Sequence, residues 1–301
     1  FEGRELVAME FVDGVTLAEY LQSELRHAGT RELAEAVVRL TGYANAPELL
    51  SAGAALAQLA LGTGAGVRYL DGGWQSLVDA LERCAREAGA ELRYGAQLQR
   101  VEHDGRARAI RLADGERIEF DAVILALGPA EASALVDEGR NPFLSAAERA
   151  CVPVRAACLD LGLERLPQPA RTFALGIDAA TYFSVHSSSA RLAPDGHALI
   201  QAARYLAPGE SLRREELEAG FDAMLDLIQP GWRKQTLVRR VMRELVVVRD
   251  LPQASRGGLA GRTPGAVDGI ANLFLAGDWV GPTGMLADAS FASAREAAFL
   301  A

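Results

Sequence analysis

The run Asn272-Leu273-Phe274-Leu275-Ala276 is short and apolar and ends on Gly277-Asp278. Gly284-Met285-Leu286 then opens a stretch of small residues reaching Ala298. This order predicts a strand with a carboxylate at its end, a glycine-bearing turn, and a helix rich in Ala and Ser. Helix N-termini carry unpaired N–H groups and a partial positive charge, so such a crevice suits an electron-rich ligand. The plainer reading makes Asp278 a cap for a turn or helix. Both stand on the residues alone.

No other constellation competes. His27, His103, His186 and His197 are scattered and lack the cysteine or carboxylate spacing of a metal site. Cys84, Cys151 and Cys158 form no CxxC pair and read as buried free thiols. His186 lies among Ser184, Ser187, Ser188 and Ser189, but no G-x-S-x-G elbow accompanies them, so hydrolase chemistry is set aside. Tyr182, Phe183, Tyr205 and Trp232 are candidates for an apolar substrate pocket and equally for ordinary core. The glycine-rich run Gly62-Thr63-Gly64-Ala65-Gly66-Val67 has its third glycine off by one for G-x-G-x-x-G and follows a predicted helix. It is rejected as a dinucleotide loop.

The elements that must position these residues come in three grammars. Up to about residue 61 the chain reads as helical. Asp13-Gly14 marks a turn, Thr16 and Glu19 form a capping box ahead of Leu17, Leu21 and Leu25, and further helices are predicted over 31–40 and 48–61. In the second helix Leu33, Val37 and Leu40 are the expected apolar face.

From Val67 the pattern shifts to a strand at 67–70, a tight turn at Asp71-Gly72-Gly73, and an amphipathic helix over 74–88. That helix carries Leu77, Val78, Leu81 and Ala85 on one face. Strands follow at 91–94, 97–103, 107–112 and 117–120, with Asp-Gly turns at 104–105 and 114–115. The apolar run 122–126 suits a strand buried on both faces. The third stretch predicts strands at 156–163, 172–177, 182–186 and 197–205, a helix over 210–228 and a strand over 238–248.

Composition bounds the answer. The chain has 301 residues, 50% of them hydrophobic, and a net charge of −9. It can bury a sizeable core. The acidic balance argues against nucleic acid, and no apolar run reaches the ~20 residues of a membrane span. An intracellular, cytoplasmic setting fits the thiols, and peripheral membrane contact is compatible with it. The chain starts at Phe1 rather than Met and reads as part of a longer protein.

Two further blocks carry a family resemblance. Tyr69-Leu70-Asp71-Gly72-Gly73-Trp74 leads into a long helix and then Gly89-Ala90-Glu91, and Asp121-Ala122-Val123-Ile124-Leu125-Ala126-Leu127-Gly128-Pro129 closes the hairpin region. In this order, with Gly277-Asp278 and Gly284-Met285-Leu286 at the C-terminal end, they resemble FAD-dependent oxidoreductases of the phytoene desaturase and flavin-containing amine oxidase type. The resemblance runs over roughly residues 16–301 and lacks the N-terminal G-x-G-x-x-G unit.

It implies an α/β, mixed α+β fold of the FAD/NAD(P)-binding oxidoreductase type without its ADP-binding unit, with an interleaved substrate domain of mixed sheet and helices. The implied divisions are 1–66 and 130–261 for the substrate domain, and 67–129 and 262–301 for the FAD segments. It implies FAD as cofactor, with the backbone at Leu98 against the adenine end, and Gly277 and Asp278 beside the ribityl chain. Gly284, Met285 and Leu286 would offer N–H groups to the isoalloxazine. The implied chemistry moves a hydride equivalent from an apolar, polyene, lipid-like or amine-like small molecule to flavin, with no catalytic side chain named. The other class kept open is a non-catalytic remnant or binding module of the same fold. Without the glycine loop, this stretch alone is expected to be inactive and to bind FAD weakly.

Overall fold

The computed structural model describes residues 14–64 and 66–301; Asp13 and Ala65, parts of two motifs above, lie outside the described residues. Its largest element is an antiparallel sheet of five strands. These are β5 (Val154–Leu163), β6 (Phe173–Leu175), β7 (Thr181–Val185), β8 (Ala198–Leu206) and β9 (Thr236–Val248), in the order β6-β7-β8-β5-β9. The period of two sends Ala157, Leu159, Leu161 and Leu163 to one face. There they pack with Phe183, Val185 and Ile200 under Leu217, Phe221 and Leu225 of α7 (Arg214–Ile228). The opposite face carries Ala156, Cys158 and Asp160, registered against Tyr205, Ala203 and Gln201 of β8, with Tyr182 and Ser184 following from β7. Each of these strands lies where the alternation places it, give or take a residue or two at its ends.

The helices α1 (Leu17–Glu24), α2 (Ala28–Gly42) and α3 (Ala52–Gly64) pack beside this sheet around Leu17, Leu21, Val38, Leu50, Val154, Val248 and Leu251. Thr16 Oγ1 accepts from Glu19 N at 3.2 Å and Glu19 Oε2 accepts from Thr16 N at 2.9 Å, the predicted capping box. Two expectations are corrected. Helix α3 begins at Ala52 rather than 48, because Leu49 and Leu50 are engaged in backbone pairing with Ala254 and Leu17. In α2 the buried face is Ala36, Val38, Arg39 and Gly42, while Leu33 is 48% exposed. A charged residue has thus taken a core position.

The remaining elements include those that build a second core. They are α4 (Trp74–Glu87), β1 (Leu98–His103), β2 (Ala107–Leu112), β3 (Arg117–Glu119), β4 (Val123–Leu125), α5 (Pro129–Ala134), α6 (Pro142–Ala150), β10 (Leu273–Leu275) and α8 (Leu286–Leu300). Strands β1-β2-β3 make an antiparallel meander, with Gly105 and Gly115 at φ +92° and +93° in its turns. Strands β4 and β10 pair in parallel. Val101, Leu125, Leu135, Leu273, Leu275 and Trp279 fill the space between them.

Here several expectations fail. Residues 67–70 and 91–94 are extended or bent but not strands. Helix α4 forms, yet none of its residues is buried. Strand β4 is not buried on both faces, since Ile124 is 38% exposed. A strand exists only through a neighbour's backbone, and no described strand lies beside 67–70 or 91–94; the exposed faces of Ile124 and α4 have no described layer packed over them. Helix α4 satisfies its own backbone and so persists without burial.

No helix among the described residues is long and apolar enough to cross a membrane, and no cluster of His, Cys, Asp and Glu among them has metal-site geometry.

Candidate active site

Parallel strands place ligands beyond their carboxyl ends. Here β4 runs into Ala126-Leu127-Gly128 and β10 into Ala276-Gly277-Asp278, and these six residues line a cleft of about 270 Å³ with Glu131, Arg249 and Ser290. The strand ends are locked together. Trp279, fully buried, donates through Nε1 to Leu127 O at 2.9 Å. Ser293 Oγ accepts from Gly277 N at 3.0 Å and donates to Ala289 O at 2.8 Å, tying α8 to the end of β10.

Gly277 is required by space. A Cβ there would lie 2.9 Å from Trp279 Nε1 and break the indole lock, whereas one at Gly128 would meet only the flexible ends of Arg249 and Glu131. Those two charged groups pair across the cleft mouth at 3.6 Å.

Asp278 sits in the cleft wall with Oδ2 accepting from Arg249 N at 3.0 Å. It does not cap α8, so the plainer of the two sequence readings takes a different form: the carboxylate pins the exit of β9 to the end of β10. Helix α8 starts at Leu286 with Met285 as N-cap and no side chain on its first amides. Gly284 at φ +64° and Leu286 at φ +57° give the turn its shape. A Cβ on Gly284 would meet Asp288 Cβ at 2.8 Å. The side chains of Met285 and Leu286 point into packing. Met285 is 2% exposed, with its Cε 3.5 Å from where a Cβ on Gly42 would sit, and Leu286 packs on the α1–α3 core. What this turn can offer a ligand is therefore backbone. Leu98, at the start of β1, is half-buried against the second core and does not line the cleft.

Arg262 was not singled out in the sequence. Only 4% exposed, it donates to Asp278 O at 3.0 Å, Thr283 O at 3.2 Å and Gly284 O at 2.8 Å. One planar fork thus holds both ends of the turn between Asp278 and α8. Burial lowers its pKa, while the Asp250 and Asp278 carboxylates act the other way. The only available signal was a lone arginine in the small-residue run Gly261-Arg262-Thr263-Pro264-Gly265.

The four candidate aromatics fall on two sides of the sheet. Phe183 and Trp232 lie in the core beneath α7. Tyr182 and Tyr205 are on the opposite face, Tyr182 half-buried and Tyr205 buried. There Tyr182 OH is 3.1 Å from His186 Nε2, the Tyr69 ring meets His186 edge-on at 4.8 Å, and Tyr43 lies 6.2 Å from Tyr205. Burial raises the Tyr182 and Tyr205 phenols and lowers His186, which stays neutral at neutral pH.

The serines beside His186 serve the backbone: Ser187 Oγ accepts from Leu199 N at 2.9 Å and Ser188 Oγ donates to Val185 O at 2.6 Å. Cys151 and Cys158 are half-buried free thiols, pushed by burial to about 12 and about 11, whereas Cys84 is exposed, against the expectation for all three.

The pattern for flavin containing amine oxidoreductases matches residues 5–299, nearly the whole chain. The chain belongs to that family. Among relatives, it is 31% identical over 170 residues to the all-trans-zeta-carotene desaturase of Myxococcus xanthus, covering 55% of this chain and 26% of that one. It is 25% identical over 201 residues to the 4,4'-diapolycopen-4-al dehydrogenase of Metabacillus indicus, covering 58% and 40%. These matches span well under half the length of either relative.

Solved structures show the same fold. An oxidoreductase from Methanosarcina mazei superposes with a TM-score of 0.73 at 18% identity, over 94% of this chain and 68% of that one. A putrescine oxidase superposes at 0.69 and 16% identity, over 96% and 68%. The mixed α/β fold is thus that of the flavoprotein oxidoreductases.

The residues present fit the flavin that the family implies. The cleft joins a carboxylate acceptor at a strand end and a glycine with no room for a side chain, and the clamped turn leads from Asp278 to an uncapped helix N-terminus, although Gly284, Met285 and Leu286 do not themselves line the cleft. These suit the hydroxyls and the electron-rich ring edge of such a cofactor. Gly62 and Gly64 end α3, with no strand before them, so that run is no phosphate loop in this family member.

Proposed function

We propose that this chain contributes the flavin-contacting turn and the substrate floor of an FAD-dependent oxidoreductase that takes a hydride equivalent from a polyene or other lipid-like molecule. The observation that carries the reading is the cleft beyond β4 and β10, where Gly277 and Asp278 meet the turn held by Arg262. FAD, when bound, supplies the electron-accepting ring.

The chain's own residues bind and orient. Asp278 accepts from a hydroxyl of the cofactor. The first amides of α8 face its ring edge and favour negative charge there. Met285, packed on Gly42 at the end of α2, joins the turn to the open face of the five-stranded sheet. Tyr43, Tyr69 and Tyr182 on that side exclude water from an apolar substrate, so positioning rather than acid–base work carries the chemistry. Neutral His186, bonded to Tyr182, orients that phenol. The polyene assignment follows the carotene desaturase relative.

The visible spectrum of the full-length gene product tests this. Bound-flavin bands are expected, and Asp278→Ala should weaken FAD binding about tenfold or more, the loss of a charge-assisted hydrogen bond. A colourless protein that ignores added FAD would leave a binding module with the family fold.

A further inference from the structure

Among the described residues, four buried side-chain polar atoms have no hydrogen-bond partner, and two of them, Arg39 Nε and Tyr205 OH, share one corner of the open sheet face. Tyr43 joins them: its N–H donates to Arg39 O at 2.8 Å, and its ring lies 6.2 Å from that of Tyr205. Arg39 is 7% and Tyr205 1% exposed. The guanidinium is badly compensated. Its Nη2 donates to Ile177 O at a long 3.3 Å, and its Nη1 is 3.9 Å from Glu35 Oε2, beyond hydrogen-bond reach. Leaving two buried donors unmet in one place is costly, and such groups call for a partner.

We propose that this corner is a subsite for a carboxylate or carbonyl oxygen at one end of the substrate, received by the Arg39 guanidinium and the Tyr205 hydroxyl. Both groups are donors, so an oxygen acceptor at this corner answers the deficit they share. Tyr43 and Tyr182 supply aromatic surface for the apolar remainder of the molecule. An ammonium group is selected against, because it would be buried beside an under-compensated cation. Tyr43 directly follows Gly42, against which Met285 packs, so the corner adjoins the turn assigned to the flavin. The inference rests on the reading that the open sheet face is the substrate floor.

The test is a fluorescence titration of the full-length protein with all-trans-retinoate and all-trans-retinylamine as probes, with the flavin spectrum recorded on the same samples. Retinoate is expected to bind about tenfold to a hundredfold more tightly than the amine, the worth of hydrogen bonds to a charged group. Arg39→Met should abolish that preference, and Arg39→Lys should restore part of it.

Tyr205→Phe removes only an unpartnered hydroxyl, so the fold should hold while retinoate binding falls severalfold. If Arg39→Met does not fold, Tyr205→Phe and Arg39→Lys decide. Equal affinity for the two probes, no binding of retinoate, or a Tyr205→Phe variant that binds retinoate like the wild type would overturn the proposal. A colourless protein that still prefers retinoate would overturn the flavin reading instead and leave this subsite standing.

Discussion

The five-stranded sheet under α7, and on the other hand the parallel pair β4–β10 and helix α4, are built from equally regular sequence patterns, yet they reach different ends. In the sheet, Leu159, Leu161 and Leu225 are completely buried, and every interior strand has two neighbours. By contrast, β4 keeps Ile124 partly exposed, and α4 shows Trp74 at 61% and Leu81 at 48% exposure despite its strong amphipathic pattern. Parallel sheets are normally covered on both faces. Periodicity therefore reports what an element is made to pack against, not whether the partner lies within the same stretch of chain.

The largest effect should separate these two regions by stability. Phe221→Ala opens a cavity beneath the sheet and is expected to cost about 3–5 kcal/mol. Leu81→Ala on α4 removes a side chain already facing solvent and should change stability by less than about 0.5 kcal/mol. Denaturant midpoints at a common slope measure both. A Leu81→Ala cost equal to that of Phe221→Ala would show that the face of α4 is covered in solution and would collapse the comparison.

The turn between Asp278 and α8 lies on the open side but is held as a core element is. Arg262→Met should cost about 2–4 kcal/mol, since three backbone carbonyls lose a charged donor. Arg262→Lys, lacking the planar fork, should recover only part of it. Because the carbonyls belong to the turn, FAD binding should fall in Arg262→Met more than in Phe221→Ala at matched denaturant. If the two variants lose FAD in parallel, Arg262 serves global stability alone.

How much of this was legible in the sequence follows the same division. Strands β5, β7, β8 and β9 were readable because alternation over many residues is self-averaging. The capping box at Thr16 and Glu19 was readable because it is local. Residues 67–70 and 91–94 carried strand composition, but pairing is a long-range property that composition does not contain.

At the site, Gly277 and Asp278 were found from strand-end chemistry, and they do line the cleft. Arg262 and Arg39 were invisible, because a buried arginine looks in sequence like any exposed one, and its role depends on segments distant in the chain. Tyr182 and Phe183 read alike as candidates for a pocket or for core, although adjacent strand residues face opposite ways.

The smallest expected effect concerns how the meander β1-β2-β3 survives without a covered outer face. There Glu102 accepts from Arg117 at 2.7 Å, Arg111 at 2.9 Å and Arg100 at 3.0 Å, which holds its carboxyl at about 2, well below its ordinary 4.5. A carboxyl whose folded pKa is depressed contributes stability that is present above the unfolded value. That contribution drains away as pH falls from about 4.5 toward about 2. Glu102→Gln should therefore lower the melting temperature slightly at neutral pH and leave it unchanged at the acid end, so that the two curves converge through that window. Solvent and salt screen exposed ion pairs, so the gap should also narrow in high salt. Curves that stay parallel across the window would mean that Glu102 acts through packing and not through its charge, and the meander would then resemble the covered sheet more than the open pair.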